Sequence, residues 1–297
     1  ITLNKIFYKK KINFYVKKEV EGFNYIKKFI KNADLINNKI EKQILIKASN
    51  TLIIFDTLLL NKSILEKINL KKNKLIVFED LKMVSKNYAN LIINAIVDGP
   101  IHREIKIKNG KKLSGSIFKI YHKPKKIIKK EKIITICFGG GNFSKLNYKK
   151  CINNLLKIEK LKNYRIICII GPGSKIIKKD LKNHRRLKIL NNVNNLDRFL
   201  AKSKIFIGGG GGTIYEALRY KCFTFCYGFN NHQKKNIKNF SKLKLCHKVK
   251  DFEYKTLKKI DKIMVNRKLN VIRNRNLNKY IKNNGLKKLG KILKKLI

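Results

Sequence analysis

Five consecutive glycines, from Gly208 to Gly212, constrain the fold of this chain more than any other feature. A short β-branched run, Lys204 to Ile207, precedes them, and a segment with helical spacing, Thr213 to Tyr220, follows. A sharp turn from a buried strand into a helix favours residues without a Cβ atom. The pattern therefore predicts a strand, a glycine loop and a helix in direct succession.

Two more glycine loops follow apolar runs in the same half of the chain. They are Gly139-Gly140-Gly141 and Gly171-Pro172-Gly173. Short apolar runs alternate with helical segments along the whole chain, which is typical of parallel strands buried on both faces. The sequence thus predicts an α/β fold with a doubly wound parallel sheet, and the three loops share its carboxyl edge.

The length of 297 residues predicts about two domains of ordinary size. A basic, turn-containing stretch from Asn109 to Lys132 separates the two halves, and we place the connection near Pro124 to Lys132. The predicted domains are residues 1–125 and residues 126–297, and the second includes a helical tail from Asp261 onward.

The formal net charge of +54 arises from 72 Lys and Arg residues against 18 Asp and Glu residues. These cations are spread from one end of the chain to the other, whereas a nucleic-acid binder concentrates them on one element. The spread favours a compositional background, so we predict no specific nucleic-acid partner. Binding of an anionic polymer stays open as an alternative function.

Several other classes of protein are not indicated. No apolar run reaches the roughly 20 residues that a membrane span needs, and no signal peptide is visible. The six cysteines are irregularly spaced and lie mostly in apolar runs, as expected for buried thiols of a cytoplasmic protein. Cys246-His247 has no second pair at ligand spacing, so we predict no metal and no cofactor. The oligomeric state stays open.

The glycine loops predict a site for a phosphate-bearing ligand, because their backbone N–H groups are accessible and a helix follows. The alternative is that the glycines serve only the turns. Neither the lysine-containing phosphate loop nor a strict G-x-G-x-x-G is present, which argues against ATP hydrolysis and a nicotinamide cofactor. Glu216 is placed either to interact with the helix dipole or to accept hydrogen bonds from a ribose of a bound ligand. Asn231-His232-Gln233 is placed either to cap the next helix or to contact a sugar.

The segment Gly208 to Glu216, followed by a strand and by Asn231-His232-Gln233, resembles the C-terminal half of GT-B nucleotide-sugar enzymes. Further segments, in order, resemble one family of that superfamily, the hydrolases of UDP-2,4-diacetamido-2,4,6-trideoxy-β-L-altropyranose in pseudaminic acid synthesis, a group also named after spore-coat polysaccharide proteins. These segments are Ile53-Ile54-Phe55-Asp56, Val77-Phe78-Glu79-Asp80-Leu81, Leu91-Ile92-Ile93-Asn94, Leu113-Ser114-Gly115, Phe138 to Asn142, Asn192 to Leu196 and Asn284-Gly285-Leu286.

The resemblance implies a GT-B fold, with two Rossmann-like domains whose parallel sheets face a cleft. It implies that a UDP-sugar is hydrolysed to UDP and free sugar. The UDP-binding residues would be Gly139, Gly140, Gly141, Gly171, Val193, Gly209, Gly210, Gly211, Gly212, Thr213 and Glu216. The sugar-binding residues would be Asn142, Asn231 and Gln233.

The chain departs from the family at its start. The family opens with a strand and a loop of the type G-x-G-H-x-x-R, whose histidine is thought to be the base, and no such segment occurs here. The resemblance implies that Ile1 corresponds to the helix after that loop, so that the N-terminal segment is missing and turnover is poor. The catalytic residue is therefore unassigned, with Asp56 and His232 as possible support. The alternative enzyme is a GT-B glycosyltransferase that uses a UDP-N-acetylhexosamine donor.

Overall fold

The structure is a computed structural model that describes residues 13–17, 20–27, 30–31, 33–56, 62–79, 88–97, 101–120, 129–141, 145–174, 181, 183–281 and 285–296. The chain divides into two compact units. Unit 1 comprises Ile1–Ile96, Pro100–Tyr121 and Asn284–Ile297, and unit 2 comprises Val97–Gly99 and His122–Asn283.

Unit 1 is built on a five-stranded sheet and a separate two-stranded one. Strands β1 (Phe14–Lys17) and β2 (Ala33–Ile36) pair in parallel. The larger sheet has the order β3-β4-β5-β7-β6, and a short helix lies on the chain between β3 and β4. The strands of this sheet and the α-helices of this part of the chain are, in chain order, α1 (Val20–Lys27), α2 (Asn38–Lys47), β3 (Leu52–Asp56), α3 (Lys62–Leu65), β4 (Lys74–Phe78), β5 (Leu91–Asn94), β6 (Arg103–Ile107) and β7 (Gly110–Ser114).

The predicted strands around residues 53, 76 and 92 are confirmed as β3, β4 and β5, which are parallel. Strands β4 and β5 are largely buried, whereas β3 is half-buried. Two features differ from the sequence prediction. Part of the basic, turn-containing stretch from Asn109 to Lys132 forms β7, and β6 runs antiparallel to it. Gly110, where β7 begins, lies so close to Asn90 that a Cβ atom would be 1.9 Å from the Asn90 carbonyl oxygen.

Unit 2 contains a six-stranded sheet in which every recorded strand pair is parallel, in the order β10-β9-β8-β11-β12-β13. Counted from β8 along the chain, this is the strand order 3-2-1-4-5-6 of Rossmann folds. The elements are β8 (Glu131–Cys137), α4 (Lys145–Leu156), β9 (Arg165–Ile170), β10 (Leu187–Asn191), α5 (Asp197–Lys202), β11 (Ser203–Gly209), α6 (Thr213–Arg219), β12 (Phe223–Tyr227), α7 (Asn231–Lys242), β13 (His247–Lys248), α8 (Tyr254–Leu257), α9 (Lys259–Val265) and α10 (Arg267–Tyr280).

The tail of the chain is divided between the units. Helices α8 to α10 belong to unit 2, but the last helix, α11 (Gly285–Lys294), belongs to unit 1. Its Leu289 and Leu293 are fully buried in a cluster with Phe118 and strands β4, β5 and β7. We predicted the whole tail within the second domain. The assignment differs because the apolar face of α11 is complementary to the sheet of unit 1, which local sequence does not reveal.

All six cysteines are free and buried, which confirms the burial predicted for Cys137, Cys168, Cys222 and Cys226. No helix in the described part of the chain combines the length and apolar character needed to cross a bilayer. Within the same residues, no group of three or more His, Cys, Asp or Glu side chains is arranged to hold a metal ion.

Candidate functional site

The three glycine loops of unit 2 follow three neighbouring strands. Gly139 to Gly141 come after β8, Gly171 to Gly173 come after β9, and Gly210 to Gly212 come after β11. Since β9, β8 and β11 are adjacent and parallel, the loops share the carboxyl edge of the sheet. From β8 to β10 successive strands are added on one side of the sheet, and from β11 to β13 they are added on the other side. The boundary between β8 and β11 is therefore a topological switch point, where ligands of open α/β sheets bind.

The first two loops are in direct contact. The Gly173 N–H donates to the Gly140 carbonyl oxygen at 2.9 Å. A Cβ atom on Gly171 would lie 2.1 Å from the Gly139 carbonyl oxygen, so only glycine allows this approach. Gly139 itself has a φ of +115°, a conformation that favours glycine. The backbones of the two loops therefore pack directly against each other.

The third loop packs against the first at its start. The strand β11 continues through Gly208 and Gly209, two residues further than the sequence predicted. A Cβ atom on Gly209 would lie 2.7 Å from the Phe138 carbonyl oxygen, and one on Gly210 would lie 2.6 Å from the Gln233 carbonyl oxygen. These glycines are therefore required by packing within the protein.

Gly211 and Gly212 differ from the other glycines of the run. A Cβ atom at either position would meet no described atom within 4 Å. Neither residue has a positive φ, and Gly212 is helical at −58°. No hydrogen bond to another described residue engages their N–H groups. Neither packing nor backbone conformation explains these two glycines, and both leave open space beside two available N–H donors.

Gln233 holds the third loop in place. Its Oε1 accepts from the Gly210 N–H at 3.2 Å and from the Phe229 N–H at 3.3 Å. We predicted Gln233 as a sugar ligand, and the structure shows that its side-chain oxygen is engaged by the protein backbone. The sequence did not reveal Asn236, which lies three residues further on the buried face of α7 and donates to the Gly210 carbonyl oxygen at 2.6 Å.

Two buried polar atoms near the loops have no hydrogen-bond partner among the described residues. They are Oδ1 of Asn236 and Oγ of Ser174, the residue directly after the second glycine loop. Buried polar atoms are almost always hydrogen-bonded, so an unpaired one requires an explanation, and a bound ligand or water molecule is one such explanation.

Glu216 lies half-buried on α6, four residues after Gly212. Burial raises the pKa of its carboxyl group to about 7, and the negative charge of Asp197 adds to this effect. No hydrogen bond or ion pair joins its carboxylate to another described residue. The side chain is therefore available to accept hydrogen bonds from a ligand.

The remaining predicted residues are placed as follows. Asn231 is exposed and opens α7 as predicted, but the residue that caps the helix is Asn230, whose Oδ1 accepts from the Gln233 N–H at 2.9 Å. His232 is half-buried beside Asn231. Val193 packs against a core cluster that includes Leu200 and Ala217 of unit 2. Asp56 is exposed at the end of β3 in unit 1, and Asn142 lies outside the described residues.

No protein-family model matches the chain. Uncharacterized protein MJ1062 of Methanocaldococcus jannaschii is 29% identical to it over 234 residues, which is 72% of this chain and 46% of that protein. The chain thus spans about half the length of the curated relative that it matches.

Solved structures of glycosyltransferases share the fold. The calicheamicin glycosyltransferase CalG4 matches 99% of this chain and 93% of its own, with a TM-score of 0.64 and 8% identity. The glycosyltransferase of kitacinnamycin matches 100% of this chain and 94% of its own chain, with a TM-score of 0.59 and 9% identity. MurG of Acinetobacter baumannii matches 86% of this chain and 76% of its own chain, with a TM-score of 0.57 and 11% identity. At such identities the likeness concerns the fold alone, and it shows that this chain has the GT-B fold of two Rossmann-like, parallel-sheet domains.

Proposed function

We propose that unit 2 binds the nucleoside diphosphate of a sugar donor, and that the chain transfers the sugar from this donor to an acceptor. The observation that carries the proposal is the open space beside Gly211 and Gly212 at the switch point. Glycines that neither packing nor φ requires are best explained by a ligand that approaches the backbone closely.

A diphosphate suits the chemistry of this space. Backbone N–H groups donate to phosphate oxygens, and such charge-assisted hydrogen bonds are stronger than neutral ones. They also stabilise the negative charge that builds on the diphosphate as the bond to the sugar breaks. We propose Gly139 to Gly141, Gly171 and Gly209 to Thr213 as the residues that surround the phosphates.

Glu216 is the proposed ribose ligand, because its carboxylate is half-buried, close to the glycine loop and unpaired among the described residues. The preference for uridine is carried over from the resemblance of residues 208–216 to GT-B nucleotide-sugar enzymes. Asn142, Asn231 and Gln233 stay proposed sugar contacts, and Val193 stays a proposed nucleotide contact. For Gln233 the contact would have to use the amide nitrogen, since its oxygen is engaged.

Sugar transfer is preferred over hydrolysis because the structures that share the fold are named as glycosyltransferases. Hydrolysis is the second candidate, and the ordered series of segments that resembles the UDP-sugar hydrolases of pseudaminic acid synthesis favours it.

Two measurements test the proposal. Calorimetric titration with UDP and UMP should give a dissociation constant at least about tenfold lower for UDP, because only UDP carries the second phosphate for the loops. Equal affinity for both nucleotides, or no binding of UDP at millimolar concentration, would contradict the diphosphate site.

Product analysis separates the two reactions. The chain is incubated with UDP-N-acetylglucosamine or with a UDP-linked diacetamido sugar, with and without hydroxylated acceptors. Release of UDP only when an acceptor is present supports transfer. Free sugar and UDP in equal amounts without an acceptor would establish hydrolysis instead.

A further inference from the structure

Unit 2 carries a surface groove with a volume of about 790 Å³, which is lined almost entirely by lysine side chains. We call it the lysine groove. Its lining consists of one serine, Ser241, and six exposed lysines: Lys234, Lys235, Lys238, Lys242, Lys244 and Lys248. The sequence shows lysine throughout the chain, and only the structure shows that these six converge.

The fold gathers the lysines through helix α7. One face of α7 is buried, with Asn236, Ile237 and Phe240 against the body of unit 2. Lys234, Lys238 and Lys242 recur every four residues, so they share another face and cover about 12 Å along the helix.

Two more lysines join the groove from beyond the end of the helix. Lys244 follows α7 with a φ of +54°, at a position where helices usually have glycine. Its N–H donates to the Ser241 carbonyl oxygen at 3.0 Å. Lys248 lies on β13, which contacts α7. Main-chain geometry therefore brings the lysine side chains to one groove.

This concentration of charge is unfavourable in the isolated protein. Lysines four residues apart on a helix repel each other. No ion pair joins any of the six lysines to a carboxylate of the described residues. A ligand with several negative charges would remove the repulsion, and its affinity would decrease as salt increases.

We propose that the lysine groove binds an acidic carbohydrate chain, whose carboxylate or phosphate groups recur along a flexible thread. None of the described residues that line the groove is aromatic or an arginine. Single-stranded nucleic acid is held by stacking on aromatic rings, and arginine is the usual reader of base edges.

The test measures binding of an oligogalacturonate to the whole chain by fluorescence anisotropy at about 0.05 and 0.15 M salt. The groove variant carries Lys234→Gln, Lys238→Gln and Lys242→Gln. The matched control carries Lys255→Gln, Lys259→Gln and Lys268→Gln, which remove the same charge from exposed positions of unit 2 outside the groove. We expect the groove variant to bind about tenfold to a hundredfold more weakly, and the control within about threefold of the unchanged protein.

A second pair of variants guards against misfolding of the triple variant. Lys244→Gly and Lys221→Gly each remove one charge at a residue of positive φ, +54° and +58°, where glycine is the favoured residue. Only Lys244 lines the groove, so only Lys244→Gly should weaken binding.

Three results would overturn the proposal. The first is that the groove and control variants lose the same affinity. The second is an absence of oligogalacturonate binding at both salt concentrations. The third is that single-stranded DNA, or vesicles with anionic lipid, bind more tightly than oligogalacturonate and lose affinity in the groove variant.

Discussion

Replacement of Gly211 by alanine tests the proposed diphosphate site with little risk to the fold. The added methyl group would meet no described atom within 4 Å, and the φ of Gly211 lies outside the positive range. Alanine at such a position also restricts the unfolded chain, so the free energy of unfolding should stay unchanged or rise by about 0.4–1 kcal/mol.

The same methyl group would occupy the space that we assign to phosphate oxygens. Loss of one hydrogen bond to a charged group costs about 1.5–3 kcal/mol, which corresponds to roughly a tenfold to hundredfold rise in the dissociation constant for UDP. Gly210→Ala is the contrasting variant. Its Cβ atom would lie 2.6 Å from the Gln233 carbonyl oxygen and 2.8 Å from Cγ1 of Ile237. This overpacking should lower the free energy of unfolding by about 1–3 kcal/mol.

For each variant, urea unfolding gives the free energy of unfolding and calorimetric titration gives the dissociation constant for UDP. The expected result is a stable Gly211→Ala protein that binds UDP weakly, and a destabilised Gly210→Ala protein. If Gly211→Ala unfolds as the unchanged protein does and binds UDP equally well, the open space does not hold a phosphate and the reasoning fails.

Other predictions concern titration, backbone strain and the tail. The carboxyl group of Glu216 has a pKa of about 7 in the folded chain, compared with an ordinary value of 4.5 in an unfolded chain. Between pH 4.5 and about 7 the folded state therefore keeps a proton on this group that the unfolded state has lost. Stability should fall by up to about 3 kcal/mol as pH rises from about 4.5 to 7, and urea unfolding of Glu216→Gln should lack this slope; equal slopes would contradict the assignment. Glu216→Ala should raise the dissociation constant for UDP while the chain stays folded, and an unchanged constant would refute the ribose role. Lys244→Gly and Lys221→Gly should each raise the free energy of unfolding by about 1 kcal/mol, since both relieve a left-handed conformation; a loss of stability in thermal unfolding would oppose this. Leu289→Ala and Leu293→Ala should each cost about 2–5 kcal/mol, because both side chains are fully buried in unit 1, and a cost below about 0.5 kcal/mol would show that α11 does not belong there.

Much of unit 2 could be predicted because its signals are local. An apolar run, a group of glycines and a helical segment follow one another at residues 204–220, and the structure has β11, the loop and α6 there. The parallel pairing of β8, β9 and β11 also follows from this alternation, since strands joined through helices lie parallel.

Unit 1 was predicted less completely. Strands β3 to β5 are continuous apolar runs and were identified, whereas β6 and β7 are rich in charged residues and were not. Their pairing depends on backbone hydrogen bonds and on the close approach of Gly110 to Asn90, neither of which leaves an apolar pattern.

The sequence by itself determined the α/β class, the three glycine loops and the carboxylate that follows the longest of them, because each depends on residues close together in the chain. Tertiary structure alone decided which glycines are required by packing and which leave space for a ligand, as the difference between Gly210 and Gly211 shows. It also decided that Gln233 supports the loop, that α11 packs in unit 1, and that six lysines meet in one groove. The physical reason is that these outcomes depend on which surfaces meet in space, and residues far apart in the chain form those surfaces.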